Sequence, residues 1–458
     1  MMKSGQISIS RFNEGLTVFK PDYYLNRGKK VISDLLDKGI TNSSLVDLTD
    51  KLYQGGIFKR VFVENTDYAH QYITASDMVK AQPLDNAKNI SVKYTPWVDE
   101  MTLRDKQILM SCAGTVGNTT LVNDSFSGCI GSQEIIRIET SQIPFGFLYA
   151  YLSAPIVNEY IQSMIYGAVV PRISPEELGR LPVLLPEENK QQQIHNLIVE
   201  ASKLRVEANK LLKESHRIFD QNLNFKPRQA LYMKKNVKDI LGNYHNRLDS
   251  SFYLNINNAD EELSKARYKS IELGELVLRK MFTAQRGRRN YVGSNGIRFL
   301  STTNVSESNP LLINKFLSRS TKGLETLIVN KKWILVSSSG QEILGSAFLV
   351  DDTYAKSAVN QHSIRVIIDE TLISPYYVYG YLSTPKIKNY IRSGIYGSAV
   401  LTIDEHFLKS LKIPILNDKM EEISKLVESY SNKFETACFM EKEAITLIEN
   451  EIEQWQES

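Results

Sequence analysis

The residues best suited to chemistry in this 458-residue sequence are arginines and aromatic rings in polar loops. The segment Arg286-Gly287-Arg288-Arg289-Asn290-Tyr291 follows Arg279-Lys280 closely, so five cations and a tyrosine share one stretch. Arginine makes bidentate contacts with phosphate or guanine, and tyrosine stacks on bases. A solvated loop is the other interpretation, because most charge runs face water. For this stretch we favour nucleic-acid binding.

A smaller basic loop in the first half, Tyr53-Gln54-Gly55-Gly56-Ile57-Phe58-Lys59-Arg60, supports nucleic-acid binding and a solvated loop equally. Gln133 and the pair Gln361-His362 stand at matching positions of the two halves. Their side chains are suited to reading base edges, because amides pair with adenine, but satisfied core polar groups are an equal alternative.

Two glycine-containing stretches, residues 114–118 and 340–345, follow apolar segments and contain Thr115, Asn118 and Gln341. Glycine permits close approach to a ligand, yet a simple hairpin turn is the better interpretation. Residues 167–173 and 397–403 are predicted connectors, with Arg172 as a candidate phosphate contact. The candidate DNA-binding residues are therefore Lys59, Arg60, Thr115, Asn118, Gln133, Arg172, Arg286, Arg288, Arg289, Tyr291, Gln341, Gln361 and His362.

Motifs for catalysis are missing from the sequence. It contains no GxGxxG or GxxxxGK[ST] phosphate cradle and no HExxH, paired CxxC or DxDxDG metal motif. The six histidines are scattered, and the three cysteines have no ligand-like spacing, which is typical of free thiols in a reducing cytoplasm. We expect no catalytic residue, no metal and no cofactor in this chain.

The net charge of +3 is too small to decide between partners, and the length predicts two or three domains. The N-terminus has no signal-peptide core, and no apolar run approaches the ~20 residues of a membrane span. We therefore expect a cytoplasmic protein without a membrane partner.

The sequence consists of two collinear copies of one unit. Ile108–Gly114 recurs as Ile334–Gly340, and Tyr149-Ala-Tyr-Leu-Ser-Ala-Pro155 recurs as Tyr379-Gly-Tyr-Leu-Ser-Thr-Pro385, at offsets of 226 to 230 residues. The copies diverge at residues 45–105 against 275–330. This pattern indicates a tandem duplication.

Local patterns in each copy predict a strand, at residues 106–112 and 332–338, and two short helices separated by Ser-x-Pro. An extended segment follows, at residues 181–185 and 411–416. Residues 223–244 form a predicted basic connector that contains Lys226, Arg228, Lys234, Lys235 and Lys238.

Each copy ends in a segment without proline or glycine, residues 187–221 and 419–455. The first has a predicted heptad seam of Ile194, Leu197, Ala201, Leu204, Ala208, Leu211, Ser215 and Ile218. The second has a similar seam, broken by Glu441 and Glu451, of Ile423, Val427, Tyr430, Phe434, Ala437, Ala444, Ile448 and Trp455. Such seams need a helical partner, so we expect the two helices to pair.

The chain resembles the specificity (S) subunits of type I restriction–modification systems over essentially its whole length. The resemblance rests on the duplication and on Gly167-Ala-Val-Val-Pro-Arg-Ile-Ser174, which leads through Leu181–Pro186 to Gln191-Gln-Gln-Ile194. In the second half Leu401-Thr402 replaces Pro171-Arg172, and Glu421-Glu422-Ile423 replaces the glutamine run.

The resemblance implies an α+β fold with two tandem mixed α/β target-recognition domains, separated by two long helices that pair as an antiparallel coiled coil. The expected segments are a first domain at 1–186, spacer helix 187–222, connector 223–244, a second domain at 245–416 and spacer helix 417–458.

The same resemblance implies a non-catalytic reader of a bipartite double-stranded DNA site. Two methylation subunits, and restriction subunits in systems that cut DNA, would dock on it and carry S-adenosylmethionine, ATP and magnesium. The alternatives are a fused DNA methyltransferase–nuclease, which requires a cofactor motif that the sequence lacks, and a coiled-coil scaffold that binds only protein.

Overall fold

The computed structural model describes residues 21–64, 66–167, 169–223, 234, 236–242, 248, 252–253, 268–340, 342–397 and 401–458. The chain divides into two compact units, unit 1 (Met1–Val206 and Phe439–Ser458) and unit 2 (Glu207–Cys438). The candidate Gln341 and the connector residues Lys226, Arg228 and Lys235 lie outside the described residues. Within the described ranges, no helix is long and apolar enough to cross a membrane.

Unit 1 is a mixed α/β body. Its strands are β1 (Asn42–Ser44), β2 (Lys51–Gln54), β3 (Ala69–Ile73), β4 (Lys88–Ser91), β5 (Ile108–Ser111), β6 (Thr119–Leu121), β7 (Ile130–Gly131), β8 (Ile135–Glu139) and β9 (Pro182–Leu184). Its helices are α1 (Pro21–Tyr24), α2 (Arg27–Asp37), α3 (Val98–Met101), α4 (Phe145–Ser153), α5 (Pro155–Ser163), α6 (Pro175–Gly179) and the first part of α7 (Glu188–Leu223).

Three small sheets organise unit 1. The strands of the central antiparallel sheet lie in the order β2-β8-β5-β6, a second sheet has the order β4-β3-β7 with β3 and β7 parallel, and β1 pairs with β9. All four residues of β5 are buried, so the predicted strand is confirmed and a near-continuous apolar run forms the centre of the sheet. Its Leu109 packs in a core with Ile73, Met78, Leu103, Val122, Phe126, Cys129 and Ile135.

Unit 2 has a corresponding set of elements. Its strands are β10 (Ser270–Glu272), β11 (Phe282–Thr283), β12 (Tyr291–Val292), β13 (Ile297–Leu300), β14 (Phe316–Leu317), β15 (Ile334–Ser337), β16 (Ala347–Leu349), β17 (Ala358–Val359), β18 (Ser363–Val366) and β19 (Lys412–Pro414). Its helices are the end of α7, α8 (Val237–Leu241), α9 (Thr302–Val305), α10 (Leu324–Leu327), α11 (Pro375–Leu382), α12 (Pro385–Ser393), α13 (Glu405–Lys409) and the first part of α14 (Met420–Glu457).

The strand order of unit 2 repeats that of unit 1. The sheets are β11-β18-β15-β16, β12-β14-β13-β17 and β10-β19, and β13 pairs with β17 in parallel as β3 does with β7. The repeat therefore includes residues 45–105 and 275–330, where the sequences diverge. Strand pairing uses backbone hydrogen bonds, so one plan tolerates different side chains. Strand β12 has no counterpart among the described strands of unit 1.

The two short helices of each unit are divided as the Ser-x-Pro pattern predicts. Pro155 and Pro385 each occupy the first position of the second helix, because proline lacks the N–H needed inside a helix but fits its start. A tyrosine then ties the first helix to the extended segment. Tyr151 donates to the carbonyl oxygen of Pro182 at 2.7 Å, and Tyr377 donates to that of Pro414 at 2.7 Å.

The long helices α7 and α14 contain 36 and 38 residues and pair antiparallel within each unit. In unit 1, Nζ of Lys190 lies 3.1 Å from Oε1 of Glu451, and Nη2 of Arg205 lies 2.6 Å from Oε2 of Glu441. Residue numbers therefore rise along one helix and fall along the other. In unit 2, Lys433 lies 2.6 Å from Glu207, and Gly380 is flanked by Phe219 from the end of α7 and by Ile423 from the start of α14.

The predicted seam of α7 is wrong at three of its eight positions. Ile194, Ala201, Ala208, Ser215 and Ile218 are buried, but three predicted seam residues are only partly buried, namely Leu197, Leu204 and Leu211. Ile198 and Leu212 are buried next to Leu197 and Leu211, and Phe219 is buried next to Ile218. The true spacing places Arg205 in the seam, a residue that a purely apolar pattern rejects.

The predicted seam of α14 is confirmed except at Trp455, which is only partly buried. Glu441 does not break this seam, since it is 1% exposed and paired with Arg205. The helix bounds differ by one or two residues at each end from the segments 187–221 and 419–455 that lack proline and glycine. The proposed division into recognition domains and spacer helices stays a prediction.

Candidate nucleic-acid interface

The turn between β17 and β18 carries Gln361 and His362 and is held from inside by a buried arginine. Arg365 is fully buried, and its guanidinium donates to the carbonyl oxygens of Val359 at 2.7 Å, Asn360 at 3.0 Å and Ser363 at 2.6 Å. Burial lowers the pKa of Arg365 to about 10. A cation that satisfies three carbonyl groups fixes the backbone of the turn.

Four side chains form a hydrogen-bonded relay on this turn. Arg289 donates from Nη2 to Oε1 of Gln361, and Nε2 of Gln361 lies 3.1 Å from Nε2 of His362. The other ring nitrogen of His362, Nδ1, lies 2.8 Å from Oγ of Ser339. The predicted residues Arg289, Gln361 and His362 are thus brought together, and Ser339 is a member that the sequence interpretation did not include.

Aromatic rings lie against Arg289 of the relay and against Lys315, which is not a member of the relay. The Arg289 guanidinium carbon lies 4.6 Å from the centroid of the Phe299 ring, and Nζ of Lys315 lies 4.5 Å from that of Tyr291. The two rings meet edge to face, with centroids 6.0 Å apart. Cations over ring faces are attracted by the ring quadrupole, so this stack holds Arg289 and Lys315 in defined positions. Tyr291 is 50% exposed and remains accessible.

Two more arginines of the predicted cluster, Arg286 and Arg288, lie in the same loop as Arg289. Arg286 and Arg288 are exposed, and neither has a hydrogen-bond or ion-pair partner among the described residues. Burial lowers the pKa of His362, and the charges of Arg286 and Arg289 lower it further, so the imidazole is neutral at pH 7. Arg279 and Lys280 instead line a cleft of about 430 Å³ with His406 and Lys409.

The turn between β7 and β8 in unit 1 repeats this construction. Fully buried Arg137 donates to the carbonyl oxygens of Gly131 at 2.8 Å and Ile135 at 2.9 Å, and burial lowers its pKa. Gln54 donates to the carbonyl oxygen of Gln133 at 2.6 Å. The Gln133 side chain is 9% exposed, and its Oε1 accepts no hydrogen bond from the described residues. A satisfied core amide would have such a partner.

Three other candidate residues, Lys59, Arg60 and Arg172, also belong to unit 1. The Arg60 guanidinium stands 5.7 Å from the centroid of the Tyr72 ring, and Lys59 is exposed. Arg172 pairs through its backbone with Ala113 and Tyr166, which confirms the predicted connector. Its charge is among the influences on Cys112, whose thiol pKa burial raises to about 11.

The glycine-containing stretch at residues 114–118 is a hairpin turn, as the simpler interpretation predicted. Ser111 Oγ donates to the carbonyl oxygen of Thr115 at 2.5 Å and accepts from the backbone N–H of Asn118 at 3.0 Å. Helix α5 fixes the turn further, because Asn158 donates to the carbonyl oxygen of Gly117 at 2.9 Å. Thr115 is exposed and Asn118 is partly exposed on this rigid turn.

The residues missed by the sequence interpretation are mainly those that position others. Arg137 and Arg365 each lie between two apolar residues of a strand at matching places of the repeat, and this repeated charge in a buried strand is a signal for them. Within the described ranges, no group of three or more His, Cys, Asp or Glu residues is arranged to hold a metal ion. The three cysteines are buried thiols and not disulfides, as expected.

The repeated strand order and the arginine-clamped polar turn in each unit define a duplicated α+β protein. The chain belongs to the family described as type I restriction modification DNA specificity domain, whose model matches residues 38–213 and residues 268–446. One copy of the domain lies in each half, so the tandem duplication and the resemblance are confirmed.

Solved structures with related folds cover most of the chain. An S subunit of a type I restriction–modification system from M. genitalium is 15% identical, with a TM-score of 0.35, and the alignment covers 90% of this chain and 94% of that one. An HsdS subunit from Thermoanaerobacter tengcongensis is 12% identical, with a TM-score of 0.29, and covers 90% and 96% of the two chains. No curated protein sequence matched the chain.

Proposed function

We propose that the chain reads a bipartite DNA sequence, one half-site per unit, and positions the methylation subunits of a type I restriction–modification complex on it. The observation that carries this proposal is the repeated turn. Gln133 in unit 1 and Gln361 in unit 2 follow corresponding strands, β7 and β17, and a buried arginine clamps each turn. A scaffold that binds only protein has no need of two such polar turns.

The unsatisfied oxygen of Gln133 supports a polar ligand in unit 1. Leaving a buried acceptor without a donor costs about 1–3 kcal/mol. The exocyclic amino group of a base supplies such a donor, and the amide nitrogen of the same side chain can donate back. The exposed arginines of unit 2 supply sequence-independent attraction to phosphates.

The long helices would act as the spacer between the half-sites. A helix of 36 residues is about 54 Å long at 1.5 Å per residue, which is sufficient to separate two major-groove contacts by one turn of DNA. Methylation subunits, and restriction subunits where the system cuts, would dock on this chain and supply S-adenosylmethionine, ATP and magnesium. The chain itself would be non-catalytic and act in the cytoplasm, where the DNA is.

Selection from a random duplex library by the chain with its methylation subunits tests the proposal. We expect two short conserved blocks separated by a spacer of fixed length, and a matching split motif of methylated adenine in the host genome. Recovery of DNA without any common motif would contradict a recognition role.

Charge reversal separates DNA binding from a scaffold role. Replacing Arg286, Arg288 and Arg289 by glutamate should weaken binding by roughly 10-fold or more and flatten its salt dependence, because each lost phosphate contact reduces the slope by about 1. Binding of the methylation subunits should be unchanged. Equal DNA affinity of the variant and the original chain would favour the scaffold.

A further inference from the structure

We infer that Arg289 is the specificity-determining residue of unit 2, that it reads a guanine in the half-site, and that Gln361, His362 and Ser339 aim it. This inference rests on the proposed function and names the base that one side chain recognises. The relay of Arg289, Gln361, His362 and Ser339 supports this inference, because each member has a defined role as donor or acceptor.

Chemistry fixes every hydrogen in the relay. Arginine only donates, so the amide atom of Gln361 that faces Arg289 is the oxygen. The Gln361 nitrogen therefore faces His362, and Nε2 of the imidazole is the acceptor. The ring proton is then on Nδ1 and is donated to Oγ of Ser339 at 2.8 Å. One orientation of each group satisfies all three contacts.

The lowered pKa of His362 agrees with this neutral tautomer. The charged groups that act on the ring are Arg286 and Arg289, and both disfavour a second proton. The backbone beneath the ring is fixed as well, since the N–H of His362 donates to Oδ1 of Asn360 at 3.1 Å, and Thr302 donates to the same oxygen at 2.7 Å. The relay thus has a rigid base.

Among the described residues, Gln361 is the hydrogen-bond acceptor of the Arg289 guanidinium, so further donors of this group remain available. Arginine has five N–H groups, and the contact with Gln361 occupies one of them. The guanidinium carbon lies over the Phe299 ring, 4.6 Å from its centroid, and this contact restricts the position of the group. Guanine presents two acceptors, O6 and N7, in the major groove. A planar pair of N–H donors therefore matches guanine better than it matches any other base.

A phosphate contact would not require this degree of orientation. Exposed Arg286 and Arg288 lie in the same loop and supply charge without a fixed direction. Base recognition depends on direction, because the wrong base leaves donors unpaired. Unit 1 carries Glu134 where unit 2 carries His362, so the relay cannot form there and the two half-sites should differ.

The experiment uses the full chain in complex with its methylation subunits and measures competition binding by duplexes of the selected motif. Each guanine of the motif is replaced in turn by 7-deazaguanine, which lacks the N7 acceptor. At one guanine, this replacement should weaken binding by the original chain several-fold, up to roughly 10-fold, because it removes one of the two acceptors of a bidentate contact. With Arg289→Ala the same replacement should have no effect.

Three further variants guard against general damage. Arg289→Lys keeps the charge but not the planar pair of donors, so it should lose preference for that guanine and retain affinity for unselected DNA. Arg288→Ala should weaken binding to all sequences alike and leave the preference at every position intact. Gln361→Ala should relax the preference at the same guanine as Arg289→Ala.

The outcomes separate the inference from the function on which it rests. If Arg289→Ala lowers affinity without changing any positional preference, Arg289 is a phosphate contact and the inference fails while the function stands. A selected motif that contains no guanine would overturn the inference in the same way. If the original complex selects no motif at all, the proposed function itself fails.

Discussion

Among the described residues, burial separates three roles of arginine, apart from the base contact proposed for Arg289. Arg137 and Arg365 are fully buried and donate to backbone carbonyl groups, so they act as structural clamps. Arg205 is paired with a buried carboxylate between two helices. Arg286 and Arg288 are exposed and remain available to an anionic ligand. Only the last kind can contribute to long-range attraction to DNA.

Replacing Arg365 by methionine should destabilise unit 2 by about 2–4 kcal/mol, because three carbonyl groups lose their donor inside the core. Thermal unfolding measures the loss of stability. Amide hydrogen exchange should also accelerate in residues 359–366, since the turn loses its clamp.

The matched control for this substitution is Arg319→Met. Arg319 is exposed and has no hydrogen-bond or ion-pair partner among the described residues, so its replacement should change stability by less than about 0.5 kcal/mol. If the two substitutions cost the same, the turn is held by its backbone alone and the clamp is unnecessary.

The candidate site could be predicted from sequence as a set of residues but not as an arrangement. Arg289, Gln361 and His362 stand out by type and by their place in the repeat. Their relay depends on a sheet that brings residues 289 and 361 together, and one sequence does not encode that distance in any local pattern. Phe299 and Ser339 were missed for the same reason, because an apolar strand residue and a turn serine look ordinary.

At the scale of elements, the long helices show why an apolar pattern can assign the wrong seam. In α7 the residues on both sides of the true seam are apolar, so the rule fits Leu197 and Leu204 as well as Ile198. Arg205 then occupies a core position that the rule excludes. The partner helix decides the register, since Glu441 supplies the charge that makes a buried arginine tolerable.

Glu441 joins two elements of unit 1 to α14. It accepts from Arg205 at 2.6 Å and from the hydroxyl of Tyr149, and burial beside this carboxylate raises the pKa of Tyr149 well above its usual value. Glu441→Ala should therefore destabilise unit 1 by about 3–5 kcal/mol, because a cation and a hydroxyl remain buried without their acceptor.

Urea unfolding of Glu441→Ala, with Glu443→Ala as the exposed control on the same helix, measures this effect. The combination of Arg205→Leu, Glu441→Leu and Tyr149→Phe should restore much of the lost stability, since the buried cation, carboxylate and hydroxyl are then all removed together. A cost for Glu441→Ala as small as that for Glu443→Ala would show that water replaces the carboxylate.

At the scale of the molecule, the duplication was readable because apolar strands and the Tyr-x-Tyr-Leu-Ser segments recur in order. The shared strand order of residues 45–105 and 275–330 could not be read from the sequence, since strand pairing there is independent of side-chain identity. Under the proposed function, divergent side chains on one backbone plan would allow the two units to bind different half-sites. The helices, and not the sheets, would then encode the distance between the half-sites.

An inserted heptad tests that assignment of distance. Seven residues with apolar a and d positions are added to both helices, after Val206 in α7 and after Cys438 in α14, where one compact unit ends and the other begins. The seam keeps its phase, and each helix lengthens by about 10.5 Å, the rise of roughly three base pairs. The preferred spacer should therefore lengthen by about three base pairs while both half-sites stay the same.

Selection from a random duplex library reads the spacer and the half-sites in one measurement. An insertion in α7 alone is the control, because it shifts the facing residues by two turns and should prevent stable pairing of the helices. If the double insertion alters a half-site, the helices take part in base recognition. If it leaves the spacer unchanged, the distance between the half-sites is set by the docked subunits or by the DNA.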